Sequence, residues 1–499
     1  MRKAVLLLLL ALATGVAWAF EFSREGHLLS PWVALAPGLL LLGTRRPVLS
    51  SFLWGIGFWT AGVYWILDTL VTYGQLEGWL GGLALLILAA ILGGYQALFA
   101  WPGARLWRRA AEGDLLSGLV GLPALWLICE WLRGHLFSGF PWNLAGYAWV
   151  EVPGALELSA WIGAYGLSAL VVAANAGVAL AARRRSLLPL ALGWMVPLLL
   201  LALGGRFAHP PELPDSLPAP VRIVQPNIPN LVTWDTAVAA RNYSRLLDLS
   251  REACDRQGAL VIWPESAGWP YSYPRDPELR ADVDSLVAAG CPLLFNSATQ
   301  NEAEQWFNSG FLLAPGEAPA RADKLHLVPY GEYVPLASLL PFVGRIARNA
   351  GDFHAAQRPV LLPWGGEKIG LAICYEGIFP EEVAERVRGG ASLLAVVTND
   401  AWYGDTTAPW QHLRAARFRA AESHRMLLRA AITGVSAVIG PDGRVGEQLG
   451  VGAQGIIRGV VAGSQELTPY SRRPWLTPLT AFLITAFCLA RLWLVRTEP

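Results

Sequence analysis

The chain has 499 residues, of which 54% are apolar and only 15% charged, against roughly 25% charged in an ordinary soluble domain; that deficit excludes a simple soluble enzyme. Thirty-nine basic and thirty-eight acidic residues leave a net charge of +1, which supplies no general field for nucleic acid. The charge is unevenly spread: residues 1–210 hold 13 basic and 9 acidic residues, whereas 211–470 hold 22 and 28. An almost charge-free half is therefore joined to an acidic one.

In chain order, eight stretches approach the ~20 apolar residues that a helix needs to cross a bilayer. They run approximately over 4–20, 29–44, 49–71, 79–103, 115–133, 157–182, 186–205 and 475–495. The second is short and interrupted by Pro31 and Pro37, which makes it the weakest. Cytoplasmic loops collect Lys and Arg. With the N-terminus inside, Arg2 and Lys3, Arg45 and Arg46, the group Arg105, Arg108 and Arg109, Arg183 to Arg185, and Arg491 with Arg496 all fall on one side. This predicts a bundle of seven spans over 1–209, a cytoplasmic N-terminus and an eighth span at 475–495, with the block between them outside the cytoplasm. The basic start, the leucine run and Ala17-Trp18-Ala19 also match a cleavable signal; either reading translocates the same following loop.

Five prolines between 210 and 220 mark a linker. Beyond it, VRIVQ (221–225), ALVIWPE (259–265), PLLFNSA (292–298), IGLAICYE (369–376) and SLLAVVTND (392–400) are predicted strands. The stretches 243–254 and 411–429 have helical periodicity. Alternating β and α over 221–470 predicts one α/β domain whose sheets are covered by helices. Several of its strands end in ionisable or nucleophilic residues, namely Glu265, Cys374 with Glu376, and Asn399 with Asp400. In α/β folds such ends carry the chemistry, so these groups are expected to gather at one rim.

Of the five cysteines, Cys129 and Cys488 lie in apolar spans, Cys254 on an amphipathic helix and Cys291 at a strand start; each is read as a small buried hydrophobe. Cys374 differs, closing a strand before Tyr375 and Glu376. Three cysteines outside the cytoplasm cannot all pair, so at least one thiol is left over there. A thiol nucleophile needs a base within reach and donors for the oxyanion it creates, and Glu265, after an apolar strand, is a candidate base. Only three of the basic residues are lysines, Lys3, Lys324 and Lys368. A lysine kept at 324 in so arginine-rich a chain suggests a task for a compact ammonium that a broad guanidinium cannot perform. Seven histidines, at 27, 135, 209, 326, 354, 412 and 424, form neither HExxH nor Cys/His metal spacings, and GxSxG, Walker and GxGxxG motifs are absent. No metal and no cofactor is expected.

WPESA (263–267), KLHLVPYGEYVP (324–335), CYEGIFP (374–380) and NDAWYGDTTAPWQH (399–412), in that order, resemble the carbon–nitrogen hydrolase (nitrilase) superfamily. Apolar helices on both flanks and WLRGHLFSGFPWNLAGY (131–147) extend the resemblance to its membrane-embedded branch, the bacterial apolipoprotein N-acyltransferase family. It implies a multi-pass helical domain in the cytoplasmic membrane and an extracytoplasmic αββα nitrilase-like domain. It further implies transfer of an acyl group from a membrane phospholipid to a diacylated apolipoprotein through a thioester. Carried over, Glu265 is the general base, Lys324 the oxyanion-side cation and Cys374 the nucleophile. Glu332 is a supporting glutamate, Tyr375 and Glu376 flank the cysteine, and Trp234 lies on a loop near the substrate entrance. Pro226, where the family usually has Gly, and Ile432, where it usually has Asn, depart from the pattern. Two alternatives share these residues or dispense with them: a membrane-anchored amidase or nitrilase whose acceptor is water, and a transporter or scaffold with a degenerate nitrilase domain.

Overall fold

The computed structural model describes residues 2–210, 219–230, 235–335 and 352–494; most of the predicted linker, and Trp234, lie outside them. The chain divides into two units, one of residues 1–71, 76–209 and 473–499, the other of 72–75 and 210–472.

The first unit is helical. Among the described residues, five of its helices are long and apolar enough to cross a membrane: Val5–Phe22, Gly78–Glu112, Ala155–Arg184, Leu188–Phe207 and Leu476–Leu494. The other apolar stretches are broken. The third divides at Val63 into Pro47–Gly62 and Trp65–Thr72, and the fifth starts with a π turn, Ser117–Gly121, before Leu122–His135. The proline-interrupted stretch is split into the short turns Ser30–Trp32, Ala36–Leu40 and Leu41–Gly43. Irregular backbone in apolar surroundings needs internal partners. Fully buried Asn175 supplies them, accepting from the N–H groups of Leu35 and Ala36 and donating to the carbonyl of Pro31. Helices approach closely where side chains vanish: a Cβ on Gly177 would lie 3.0 Å from the Cα of Gly193.

The second unit contains two six-stranded mixed sheets. One has the order β12 (Gly455–Val461), β1 (Ala219–Gln225), β2 (Leu260–Ile262), β3 (Leu293–Gln300), β4 (Trp306–Leu313), β5 (Ala320–Asp323). The other runs β11 (Val445–Leu449), β10 (Ser436–Ile439), β9 (Leu427–Ala431), β8 (Leu393–Thr398), β7 (Glu367–Ile373), β6 (Leu361–Trp364). Strands β1, β2 and β3 are parallel neighbours, as are β7, β8 and β9. The unbroken apolar runs of β2 and of Leu393–Val397 on β8 follow from burial on both faces. Between the sheets pack Val221, Ile223, Ile262 and Leu294 against Ile369, Leu371, Ile373 and Val397. The outer face of the first sheet is covered by the helices Thr236–Ala253 and Pro277–Ala288, that of the second by Pro380–Arg388 and Ala408–Ser423. The result is an αββα sandwich.

Two expectations are corrected. The helix at 411–429 stops at Ser423: His424 adopts φ 50°, and residues 427–431 form β9, parallel to β8. All five β9 residues are buried, and a short, wholly buried run has no periodicity to separate strand from helix. Cys254 and Cys291 are not separate buried thiols but a disulfide, with Cα atoms 5.8 Å apart. The end of the helix Thr236–Ala253 meets the approach to β3, a proximity that a sequence separation of 37 conceals. Cys129, Cys374 and Cys488 are free and buried.

Candidate active site

Four strand ends deliver the site. β2 leads into Trp263-Pro264-Glu265 and a turn at Ser266, φ 58°, whose N–H donates to Asn296 on β3. β5 delivers Lys324, whose N–H and C=O are pinned by the carbonyl of Asn308 and the N–H of Ala356. β7 runs into Cys374, which opens the 3-10 turn Cys374–Ile378 at φ 53°. A β-carbon in that region is costly and persists only where surroundings enforce it. β8 ends at Thr398 and presents the N–H of Asn399.

The carboxylates are organised by Asn308 on β4. Its amide donates to Glu265 Oε1 at 3.0 Å and to Glu332 Oε1 at 2.8 Å. Its own oxygen accepts from Asn296 at 2.6 Å, which fixes the amide's orientation. Lys324 Nζ lies 2.8 Å from Glu332 Oε1 and 3.6 Å from Glu265 Oε1. The remaining oxygens accept main-chain donors, Glu265 Oε2 from Asn399 and Glu332 Oε2 from Val328. Glu265 and Lys324 are 6% and 1% exposed, so these charges interact with little solvent screening.

Glu376 joins the two loops that face each other across the site. Its Oε1 accepts from the N–H groups of Leu325 and His326, immediately after Lys324, and its Oε2 from the N–H of Ile373, just before Cys374. Arg386 balances its charge at 3.0 Å. His326 stacks on Phe379 and meets Tyr375 edge-on, which extends the same clamp.

Burial pushes the Cys374 thiol up from its ordinary value, and the Glu265 carboxylate adds to that, outweighing the nearby Lys324 ammonium. Burial alone would depress Lys324, but Glu332 and then Glu265 outweigh it and hold the ammonium above its usual range. Glu332 is kept below the ordinary carboxylate range, despite burial, by Lys324. At neutral pH the site therefore rests as a thiol beside a fixed ammonium. Such a thiol becomes a nucleophile only as its proton is removed, and a buried cation without mobile solvent is suited to receive a developing oxyanion.

Glu265, Lys324, Cys374, Glu332, Tyr375 and Glu376 are thus gathered in one buried cluster, with the strand-end groups at a common rim. Trp234 lies outside the described residues. Asn308, Thr398 and Arg386 carry no sequence signal as contributors, since an asparagine flanked by strand residues has no motif, and Asp400 stands out in the sequence only by its place at a strand end. Gln225, beside the departure at Pro226, accepts from the N–H of Ser436 and donates to the carbonyls of Gly450 and Ala453. Ile432 is buried in the outer core of the first sheet, where an asparagine would need polar partners. In the helical unit, buried Arg133 donates to the carbonyls of Phe140 and Trp142, and Glu130 accepts from the N–H of Ala145. That pair fastens the loop over 139–149. No group of three or more His, Cys, Asp or Glu able to hold a metal occurs among the described residues.

Residues 14–177 match the apolipoprotein N-acyltransferase N-terminal domain, and residues 220–464 match the carbon-nitrogen hydrolase family. The chain is 34% identical over 481 residues to an apolipoprotein N-acyltransferase of Geobacter metallireducens, covering 93% of this chain and 91% of that one. With a counterpart from Ralstonia nicotianae identity is 36% over 464 residues, covering 87% and 84%. Among solved structures, the nitrilase-superfamily protein Nit3 of Saccharomyces cerevisiae aligns with 53% of the chain and 95% of its own, at 19% identity and a TM-score of 0.40. By these full-length relationships the chain belongs to the apolipoprotein N-acyltransferase family, and it is an integral membrane acyltransferase with a carbon–nitrogen hydrolase domain.

Proposed function

We propose that the enzyme acylates the N-terminal amine of diacylglyceryl-cysteine on bacterial apolipoproteins, taking the acyl group from a membrane phospholipid through a thioester on Cys374. Glu265 takes the thiol proton as Cys374 Sγ attacks an ester carbonyl. Lys324 Nζ and a main-chain N–H at Tyr375 stabilise the tetrahedral oxyanion. The ester C–O bond breaks, the proton passes from Glu265 to the departing lysophospholipid, and a thioester remains. The apolipoprotein α-amine then attacks that carbonyl and gives a proton to Glu265. The C–S bond breaks, the proton returns to Cys374, and an amide is formed. Amide formation from a thioester is downhill, so no nucleotide is required. Glu332 supports Lys324, Glu376 ties the lysine loop to the cysteine turn, and Trp234 contributes to the substrate entrance.

The observation that carries this reading is the buried free thiol under the joint influence of Glu265 and a Lys324 ammonium fixed by two carboxylates. We assign 1–209 to a bundle of seven spans, 210–220 to a linker, 221–470 to the catalytic domain and 475–495 to an eighth span. The protein resides in the bacterial cytoplasmic membrane, with the N-terminus in the cytoplasm and the catalytic domain on the periplasmic side. The arginine-rich loops support that orientation, as does the Cys254–Cys291 disulfide, since such bonds persist in oxidising compartments. Both substrates carry acyl chains costing about 0.8 kcal/mol per CH₂ to expose to water, which accounts for a membrane-embedded enzyme. Purified protein given phosphatidylethanolamine and a synthetic diacylated lipopeptide is expected to yield triacylated peptide and lysophospholipid. If Cys374→Ser still acylates the peptide, or if water alone accepts the acyl group, the proposal is wrong.

A further inference from the structure

A second set of buried groups reaches Cys374. Thr398, fully buried at the end of β8, places Oγ1 3.5 Å from Cys374 Sγ and 2.8 Å from Asp400 Oδ1. Asp400 is also fully buried, with Arg429 Nη2 2.6 Å from its Oδ2 and His412 Nδ1 3.5 Å from its Oδ1. Arg429, itself without exposure, emerges from β9 beside β8. This neighbourhood holds Asp400, despite its burial, below the ordinary carboxylate range, so it is an acceptor only.

The Thr398 hydroxyl has one proton and two neighbours that compete for it. Against a neutral thiol the 2.8 Å contact to a carboxylate takes the proton, leaving the S–H free to face Glu265. Against a thiolate the same arrangement sets a lone pair on a negative sulfur. Rotation about the Thr398 Cβ–Oγ1 bond removes that conflict by turning the proton onto sulfur, with no heavy atom moving.

We propose that Thr398 is a two-position hydrogen-bond donor to the nucleophile. Its hydroxyl donates to Asp400 while Cys374 is a thiol or thioester and to Cys374 Sγ whenever the sulfur carries charge. It would then stabilise sulfur twice in a cycle, when the thiol is deprotonated for attack and when the thioester C–S bond breaks. Asp400 and Arg429 are positioning residues that store the proton within reach. No bond to hydrogen is broken by the hydroxyl; it exchanges one acceptor for another. The inference rests on Cys374 as the nucleophile, but its own readout is alkylation of the thiol and not acyl transfer.

The charged or titratable groups acting on the thiol from other elements are Glu265, Lys324, Asp400, His412 and Tyr403. All of them remain in Thr398→Val, which removes the hydroxyl and keeps the branched shape. The rate at which iodoacetamide alkylates Cys374 in the full-length, detergent-solubilised enzyme is followed across pH, using mass spectrometry of the Cys374 peptide. The thiolate alone reacts, so loss of its donor is expected to displace the profile by about one pH unit to the alkaline side and slow alkylation about tenfold at neutral pH. Thr398→Ser is expected to restore the rate to within about twofold. Should the valine variant not fold, Thr398→Ala serves the same purpose. Unchanged profiles in the hydroxyl-free variants, or a serine variant that behaves like them, overturn the proposal. An inactive Cys374→Ser enzyme with an unshifted Thr398→Val profile would sink this inference alone. A shifted profile alongside an active Cys374→Ser enzyme would instead retain Thr398 as a donor to the Cys374 sulfur and sink the proposed reaction.

Discussion

The disulfide closes a loop of 37 residues that contains β2 and Glu265. Its removal by Cys254→Ala with Cys291→Ala releases conformational freedom in the unfolded chain. The loop-closure relation gives about 13 cal/mol/K for this length, or about 4 kcal/mol at 25 °C. With a urea dependence of roughly 3 kcal/mol/M, the unfolding midpoint of the catalytic domain should fall by about 1.3 M. Pulse proteolysis at graded urea measures this on the intact detergent-solubilised protein, with the double variant compared against the oxidised parent. Reduction of the parent should bring its midpoint to that of the variant. Because the loop carries Glu265, acyl transfer should also become more sensitive to temperature before global unfolding. Equal midpoints for parent and variant would refute the stabilisation argument. Alkylation of both cysteines in intact cells without prior reduction would refute the placement of this domain in an oxidising compartment.

Asn308→Ala deletes the donor shared by Glu265 and Glu332, and hydrogen bonds to charged groups contribute about 1.5–3 kcal/mol, so turnover with phospholipid and lipopeptide should fall about 10- to 100-fold. A Cβ on Gly434 would lie 2.1 Å from Asp400 Oδ2; Gly434→Ala should therefore displace that carboxylate from Arg429 and cost about 1–3 kcal/mol in urea unfolding. Glu332 and Asp400 are both held below their ordinary values of 4.5 and 3.8, so the folded state binds fewer protons than the unfolded one. Their stabilisation is complete above those ordinary values and is lost as pH falls through the depressed folded ones. Denaturation curves should thus show a steep loss below about pH 4.5, and Glu332→Gln should flatten it. Lys324→Arg keeps the charge but cannot fit its planar fork between Glu265 and Glu332; a folded enzyme with turnover reduced by about 100-fold or more is expected, and near-parental turnover would discount the point-charge argument.

Strand identity was legible wherever a branched apolar run ended in punctuation. The runs before Glu265, Cys374 and Asn399 are strands; those before Cys374 and Asn399 converge because β7 and β8 are parallel neighbours sharing a carboxyl end, and β2 of the other sheet delivers Glu265 to the Asn399 N–H. The alternation of β and α pointed to helices outside two sheets, and the order Glu265, Lys324, Cys374 pointed to the chemistry. What was hidden depended on register or tertiary proximity. β9 looked helical because Leu427 to Ala431 is buried on both sides and therefore lacks a period. Asn308 was silent because its role is set by its register in the β3–β4–β5 ladder, opposite Ala298. Cys254 and Cys291 looked independent because the helix that ends beside one and the strand that begins after the other meet only in the folded domain. The broken apolar segment near Pro31 was recognisable as weak, but Asn175, 144 residues further on, could not be connected with it.

The burial of Lys324 has a practical side. The other two lysines, Lys3 and Lys368, are exposed, whereas Lys324 is 1% exposed and enclosed by carboxylates. Amine-directed reagents applied to the folded protein therefore have two lysine addresses, one near the start of the chain and one on β7, and neither is the ammonium of the site. Dyes, cross-linkers and resin couplings can be attached through amines while the chemistry is left intact, and gradual labelling of Lys324 would itself report the opening of its surroundings.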